Sequence, residues 1–138
     1  MPRALVVYES MWGNSERLAQ AVAEGVAEVM PVDLTDVAVA PTDLADVALV
    51  IAGGPTHGHT MSRPETRRDA RGHGALHGSI GIGLREWLDE LPDGHDRWLA
   101  AFDTRVTTGL RLPASAARSA ARVGRRHRFH AAAAPTSF

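Results

Sequence analysis

The stretch that decides the fold is Ala4-Leu5-Val6-Val7-Tyr8-Glu9-Ser10-Met11-Trp12-Gly13-Asn14-Ser15, which joins a short apolar run to a turn that opens a helix. Residues 5–8 form a continuous apolar run, which is typical of a parallel strand covered on both faces. The first N–H groups of a helix have no intrahelical acceptor, and the helix dipole is positive at that end. A strand, a polar turn and a helix in this order therefore predict a site for an anion such as a phosphate.

The rest of the chain predicts alternating strands and helices. Apolar side chains recur at helical spacing over residues 14–30, and strand patterns cover residues 32–37, 47–52, 98–102 and 129–134. Residues 41–44 predict a short capped turn or helix, residues 81–91 and 113–126 predict helices, and Gly53-Gly54-Pro55 is expected to break the third strand. Residues 54–80 show no periodicity and are predicted to form a long loop. This alternation indicates an α/β domain with a parallel sheet.

Length and composition exclude several classes of protein. The 138 residues suit one domain, and they contain neither a run of about 18 apolar residues nor a signal-like start, so a cytoplasmic protein is expected. Without cysteine the chain cannot form disulfides, thiolate nucleophiles, iron–sulfur sites or cysteine-based zinc sites. All 15 basic residues are arginine, which excludes a P-loop nucleotidase because its loop needs a lysine.

The charges are distributed unevenly along the chain. Residues 1–60 hold two arginines and eight acidic residues, whereas residues 61–138 hold thirteen arginines and eight acidic residues. Seven of those arginines lie within residues 105–128. Such a cluster is compatible with an acidic partner, with nucleic acid, or with a solvated helix face.

Two segments carry a resemblance to flavodoxin-like, FMN-binding domains. Residues 7–15 are similar to the family's S/T-x-T-G-x-T phosphate loop, and Gly53-Gly54-Pro55-Thr56-His57 is similar to its first flavin-flanking loop. A weaker match, Ala101-Phe102-Asp103-Thr104-Arg105, stands where the family has its second flavin-flanking loop. The resemblance implies FMN as the cofactor and a doubly wound, three-layer α/β/α fold. Its parallel sheet would have about five strands in the order 2-1-3-4-5.

Carried over by position, the resemblance also implies which residues hold FMN. Hydroxyl and backbone N–H groups would surround the phosphate, and the other two loops would flank the flavin ring. The implied residues are Ser10, Met11, Trp12, Gly13, Asn14 and Ser15 at the phosphate, Pro55, Thr56, His57 and Gly58 along one edge of the flavin, and Phe102, Asp103, Thr104 and Arg105 on its other side.

Four features depart from the family. Trp12 replaces a small hydroxyl residue, and Phe102 and Trp98 are expected in the core, which leaves no aromatic residue to stack on the flavin. The chain is also not strongly acidic. It ends before the family's terminal helix, so a single domain over residues 1–138 that is C-terminally truncated is expected. Association of two copies could cover the apolar sheet face left open.

The function implied by the resemblance is electron transfer to or from a redox partner protein or reductase, with no nucleic acid and no membrane involved. One alternative is a flavin-dependent NAD(P)H:quinone reductase, and another is a truncated remnant that does not hold flavin. His73 and His77 could share a helix face and bind metal, but solvated loop histidines are the simpler explanation, so no metal site is assigned. Gly81-Ile82-Gly83 lacks the third glycine of a dinucleotide fingerprint, and Ser10 lacks the glycines of a nucleophile elbow, so neither motif is assigned.

Overall fold

The structure, a computed structural model, describes residues 2–105 and 114–138. Strands and helices alternate as predicted, and Pro113, the first residue of the last predicted helix, lies outside the described residues. The elements are β1 (Arg3–Tyr8), α1 (Asn14–Ala27), β2 (Val32–Asp36), β3 (Val47–Pro55), α2 (Pro64–Gly72), α3 (Leu84–Asp89), β4 (Trp98–Thr104), α4 (Ala116–Arg126), β5 (His130–Ala131) and β6 (Thr136–Ser137).

One parallel sheet runs through the domain in the order β2-β1-β3-β4-β5. The predicted strand order is therefore confirmed. The last strand, predicted over residues 129–134, is instead divided into two short strands that both pair with β4: β5 lies beside Trp98 and Leu99, and β6 beside Phe102 and Asp103. Between them comes Pro135, which has no N–H to donate to a strand pairing.

Helices cover both faces of the sheet and create two apolar cores. On one face Val6, Ile51 and Phe102 pack with alanines of α1. On the other face the alternate strand residues, among them Leu5 and Val50, pack with α3 and α4. Every second residue of a strand points to the same face, so the apolar run of β1 supplies both cores.

The predicted break at Gly53-Gly54-Pro55 is wrong, because β3 continues to Pro55. Gly53 and Gly54 pair with Phe102 and Asp103 of β4. The ring of Phe102 lies against Gly53 so closely that a Cβ at Gly53 would be 2.0 Å from Phe102 Cζ. Glycine in a strand often marks such a close approach, and here it makes room for a core side chain.

The prediction of a long loop over residues 54–80 is also wrong, since α2 lies within it. The helix begins after Arg63 with Pro64 in its first turn, a position that suits proline because its missing N–H has no intrahelical acceptor. Only two of its residues are buried, Arg67 and Ala70. The apolar periodicity is absent because an arginine occupies the buried face.

Two smaller predictions also need correction. Residues 41–44 form no helix, and the turn follows at residues 45–46, where the Val47 N–H donates to the Leu44 carbonyl at 3.0 Å. The one-turn helix lies earlier, at Val37–Val39. Trp98, predicted to be in the core, is 48% exposed. It begins β4 at the rim of the sheet and packs only partly, with its ring centroid 5.0 Å from that of His130.

Within the described part of the chain, no helix combines the length and the hydropathy needed to cross a bilayer.

Candidate functional site

Three loops meet at the carboxyl ends of β1, β3 and β4. We call them loop 1 (residues 10–15), loop 2 (residues 55–58) and loop 3 (residues 102–105). Ser15 Oγ of loop 1 lies 3.0 Å from Thr104 Oγ1 of loop 3, and the Thr56 N–H of loop 2 donates to the Thr104 carbonyl at 2.9 Å. The fold thus brings together the three segments that the sequence predicts to share a ligand, at the edge where open α/β sheets bind ligands.

Loop 1 is closed by its own polar groups. Ser10 is buried, and its Oγ accepts a hydrogen bond from the Gly13 N–H at 3.0 Å. Gly13 has a φ of 91°, a left-handed conformation that favours glycine, and α1 starts at the next residue. Ser15, also buried, lies in the first turn of that helix. Two hydroxyl groups therefore lie at the start of α1.

The N-terminus of α1 differs from those of α3 and α4. The Leu84 N–H of α3 donates to Glu9 Oε1 at 2.8 Å, and the Ala117 N–H of α4 donates to Asp103 Oδ2 at 2.8 Å. At α1 the N-cap is Gly13, whose own N–H donates to Ser10 Oγ, and no side chain of the described residues accepts from the N–H groups of residues 14–16. Its first N–H groups remain available to an external acceptor, as an anion-binding helix requires.

Other residues of loop 1 take different positions. Met11 is buried, and its carbonyl accepts from the His77 N–H at 3.2 Å, so the segment after α2 lies against the loop. Asn14 is exposed, and Trp12 is 52% exposed. Arg17 donates to Asn14 Oδ1 and thereby places a cation beside loop 1, which was not predicted. The sequence did carry a signal for this contact, because residues three positions apart on a helix lie next to each other.

Loop 2 leads into a tight turn. His57 and Thr60 exchange two backbone hydrogen bonds, at 2.8 and 3.1 Å, and the residues between them, Gly58 and His59, both have positive φ. The His57 side chain is turned toward α2, where its Nδ1 lies 2.9 Å from Thr66 Oγ1. Burial, and then the charge of Arg67, lower the pKa of His57 below its usual range. Both effects favour the neutral form of the ring.

Loop 3 turns two of its predicted side chains inward. Phe102 lies in the α1-side core, and Asp103 is fully buried at the start of α4. Thr56 Oγ1 of loop 2 also accepts there, from the Ala116 N–H at 3.1 Å. The side chains of Asp103 and Thr56 thus bind the N-terminus of α4. At Thr56, Phe102 and Asp103 it is therefore mainly the backbone that can face a ligand.

The remaining residue of loop 3, Arg105, is half-buried beside the last strand. Its side-chain Nη2 donates to Ser137 Oγ at 2.6 Å, and its backbone N–H donates to the Phe138 carbonyl at 3.3 Å. Its Nε lies 3.9 Å from Asp103 Oδ1. Arg105 therefore links loop 3 to β6.

A buried ionic network under loop 1 was missed by sequence reasoning. Arg67 is fully buried, and its Nε donates to Ser62 Oγ at 2.8 Å and lies 3.6 Å from Glu9 Oε2. The same guanidinium donates to the Ile80 carbonyl at 2.7 Å and pairs with Glu86. Burial raises the pKa of Glu9, while Ser62, the Leu84 N–H and Arg67 oppose that rise. The network fixes α2 and α3 to the end of β1.

Metal binding finds no support in residues 2–105 and 114–138. No group of three or more histidine, aspartate and glutamate side chains is arranged there to hold an ion. His73 ends α2, with its Nδ1 2.8 Å from the Asp69 carbonyl, and His77 lies beyond the helix. The two histidines therefore do not share a helix face.

Comparison with known proteins identifies related folds. The flavodoxin family profile matches residues 6–66. A flavodoxin from the domain Archaea superposes with a TM-score of 0.68 at 19% identity, over 98% of this chain and 82% of that one. Flavodoxin 2 from Bacillus cereus superposes with a TM-score of 0.68 at 17% identity, over 99% of this chain and 83% of that one. A diflavin flavoprotein A3 from Nostoc sp. superposes with a TM-score of 0.56 at 19% identity, over 99% of this chain and 78% of that one. These matches confirm the flavodoxin-like fold.

Proposed function

We propose that this flavodoxin-like domain binds FMN across loops 1, 2 and 3 and carries electrons between partner proteins. The observation that carries the proposal is the N-terminus of α1, which no described side chain caps and which has two buried hydroxyl groups beside it. A phosphate fits this combination, since it accepts hydrogen bonds from N–H and O–H groups and is favoured by the helix dipole.

The residues of loop 1 would bind the phosphate. Ser10 Oγ already accepts from the Gly13 N–H, so its own proton is free to be donated. Ser15 Oγ shares one hydrogen bond with Thr104 and can reorient toward a ligand. Arg17 adds positive charge next to the loop. The exposed ring of Trp12 would shield the ligand from water.

Loops 2 and 3 would flank the flavin ring. FMN, when bound, supplies the electron-accepting and electron-donating chemistry, and the groups around its ring tune the potential. Loop 2 contributes Pro55, Thr56, His57 and Gly58, and loop 3 contributes Thr104 and Arg105 together with the backbone of Phe102 and Asp103. The hydrogen bond from Thr56 to Thr104 fixes the spacing of the two loops.

Removal of the loop 1 hydroxyls tests the phosphate assignment. In the S10A/S15A variant we expect FMN affinity to fall about a hundredfold or more, because two hydrogen bonds to a charged group are lost and each contributes about 1.5–3 kcal/mol. Ser119→Ala removes a hydroxyl that bonds Thr60 instead, and it should leave FMN affinity unchanged. Equal affinities in all three proteins, measured by quenching of flavin fluorescence, would refute this role of loop 1.

The carrier role needs its own test. FMN-loaded protein should be reduced by light in the presence of a sacrificial donor, and NADH or NADPH alone should leave its flavin oxidised. Continuous NAD(P)H oxidation in the presence of a quinone would instead show that the protein is an enzyme.

A further inference from the structure

We infer that the exposed side of α4 is a docking surface for an acidic protein, through which the domain meets its redox partner. The surface consists of Arg118, Arg122, Arg125 and Arg126, and we call it the arginine face. The inference rests on the proposed electron-carrier function for the role of the partner, but the surface itself can be tested without FMN.

The arginine face lies opposite the buried side of α4. With about 3.6 residues per turn, positions 118, 122 and 126 follow one another along one side of a helix, and position 125 lies next to them. Arg118 and Arg126 are about 12 Å apart along the helix axis, at about 1.5 Å per residue. The opposite side of the helix is buried and carries small side chains: Ala116, Ala117, Ala120, Val123 and Gly124.

Among residues 2–105 and 114–138, the four guanidinium groups have no partner. In the described part of the chain none of them forms an ion pair or a side-chain hydrogen bond, and residues 104–138 contain no acidic residue. The neighbouring Arg128 differs, since its Nη1 lies 3.4 Å from Asp93 Oδ2. The positive charge of the arginine face is therefore available to a partner.

The helix that carries these charges is firmly held and begins at the candidate site. Gly124 approaches β4 so closely that a Cβ there would be 3.0 Å from Leu99 Cδ2. At the other end, Thr56 of loop 2 and Asp103 of loop 3 accept from N–H groups of α4. A partner seated on the arginine face would thus lie beside the loops that flank the proposed flavin ring.

An apolar groove of about 310 Å³ adjoins the arginine face. Arg125 belongs to the arginine face and also lines the groove, and alanines together with Phe129 form much of the remaining wall. Protein interfaces commonly combine an apolar centre with a polar rim. The groove and the arginines together provide that combination.

The charge of the whole chain favours an acidic protein over nucleic acid. The formal net charge is -1 and the sequence pI is about 6.6, whereas a nucleic-acid-binding domain typically has a pI above about 9. The first 60 positions, with eight acidic residues and only two arginines, would repel a long phosphate backbone. Guanidinium groups pair with carboxylates through two parallel hydrogen bonds, which suits a compact acidic surface.

The test compares two charge-matched variants of the full chain. R118Q/R122Q/R126Q removes three charges from the arginine face, and R63Q/R68Q/R71Q removes three exposed charges around α2. The probe is a fluorescein-labelled polyglutamate peptide, whose binding is followed by anisotropy at low salt. We expect the α4 variant to bind it roughly tenfold more weakly than the wild type, since each exposed pair contributes about 0.2–1 kcal/mol. The α2 variant should stay within about twofold of the wild type, and binding should weaken as salt is added.

Several outcomes would overturn the proposal. These are equal weakening in both variants, no binding by the wild type, or tighter binding of a single-stranded oligonucleotide with the same number of charges. Concentration-dependent self-association that is lost only in the α4 variant would assign the surface to a second copy instead. FMN titration of each variant separates the two proposals. If the α4 variant loses peptide binding but keeps its FMN affinity, both proposals are supported. If the wild type does not bind FMN, only the proposed function is refuted.

Discussion

At Gly53 the sheet has no space for a side chain, because the Phe102 ring occupies it. We predict that Gly53→Ala lowers the free energy of unfolding by about 1–3 kcal/mol, the usual cost of overpacking a core. Gly25→Ala is the matched control: its Cβ would meet nothing within 4 Å, and alanine favours the helix, so this variant should gain about 0.5–1 kcal/mol. Urea denaturation measures both changes. Equal stability of the two variants would contradict the close approach of Phe102.

Arg67 is the only cation close to Glu9 in the buried network of the described residues, and it also pairs with Glu86. We predict that Arg67→Met costs about 3–5 kcal/mol, because it leaves the buried Glu9 carboxylate and the partly exposed Glu86 carboxylate without their counter-charge. Adding Glu9→Gln should restore part of the loss, since one of those carboxylates is then removed. If the double variant is no more stable than Arg67→Met in urea denaturation, the two residues are not coupled.

His57 predicts a pH dependence of stability. Its folded-state pKa is lowered from 6.5, so the unfolded chain takes up a proton more readily than the folded protein. The free energy of unfolding should therefore fall as the pH falls through about 6.5 toward the folded pKa, with no such effect at higher pH. His57→Gln should show a smaller decline between about pH 7.5 and 5. Parallel stability curves for the two proteins would refute the assignment.

Single residues show what sequence reasoning can and cannot reach. The placement of Ser10, Gly13 and Ser15 between β1 and α1 was predictable, because strand, turn and helix form a local sequence pattern, and their role at a phosphate stays a prediction. The partnership of Glu9 with Arg67 was not, since 58 positions separate the two residues and only the fold brings them together. An acidic residue directly after a buried strand does indicate that some cation must lie nearby.

Among the elements, α2 shows why a helix can escape a hydropathy pattern. Its inner face presents Arg67 to an ionic network, so apolar periodicity gave no signal. The residues Ser62-Arg63-Pro64-Glu65 did carry a start signal, with proline in the first turn followed by an acid. The strands were easier to predict, because their apolar runs are continuous.

The start of α4 depends on side-chain caps that can be removed singly. Ser115 Oγ accepts from the Arg118 N–H at 3.2 Å. We predict that Ser115→Ala costs about 1 kcal/mol, the usual cost of a lost N-cap, as measured by thermal or urea denaturation. A change below about 0.3 kcal/mol would mean that Thr56 and Asp103 suffice to hold the helix.

At the scale of the whole molecule, the sheet order was predictable from the resemblance and the division of the last strand was not. A short alanine-rich segment gives little information about where pairing stops. The expected C-terminal truncation and association of two copies stay predictions. On the α1 side of the sheet, Leu49 and Ala100 are only partly buried.

The most direct test of the central claim is a fluorescence titration of the apoprotein with FMN and, in parallel, with riboflavin. The two ligands share the flavin ring and differ in the phosphate, so their affinity ratio reports on loop 1. We predict that one FMN binds per chain with quenched fluorescence, and that riboflavin binds at least about tenfold more weakly because it lacks the charged hydrogen bonds to α1. Equal affinities for the two ligands, or no binding of FMN, would contradict the account.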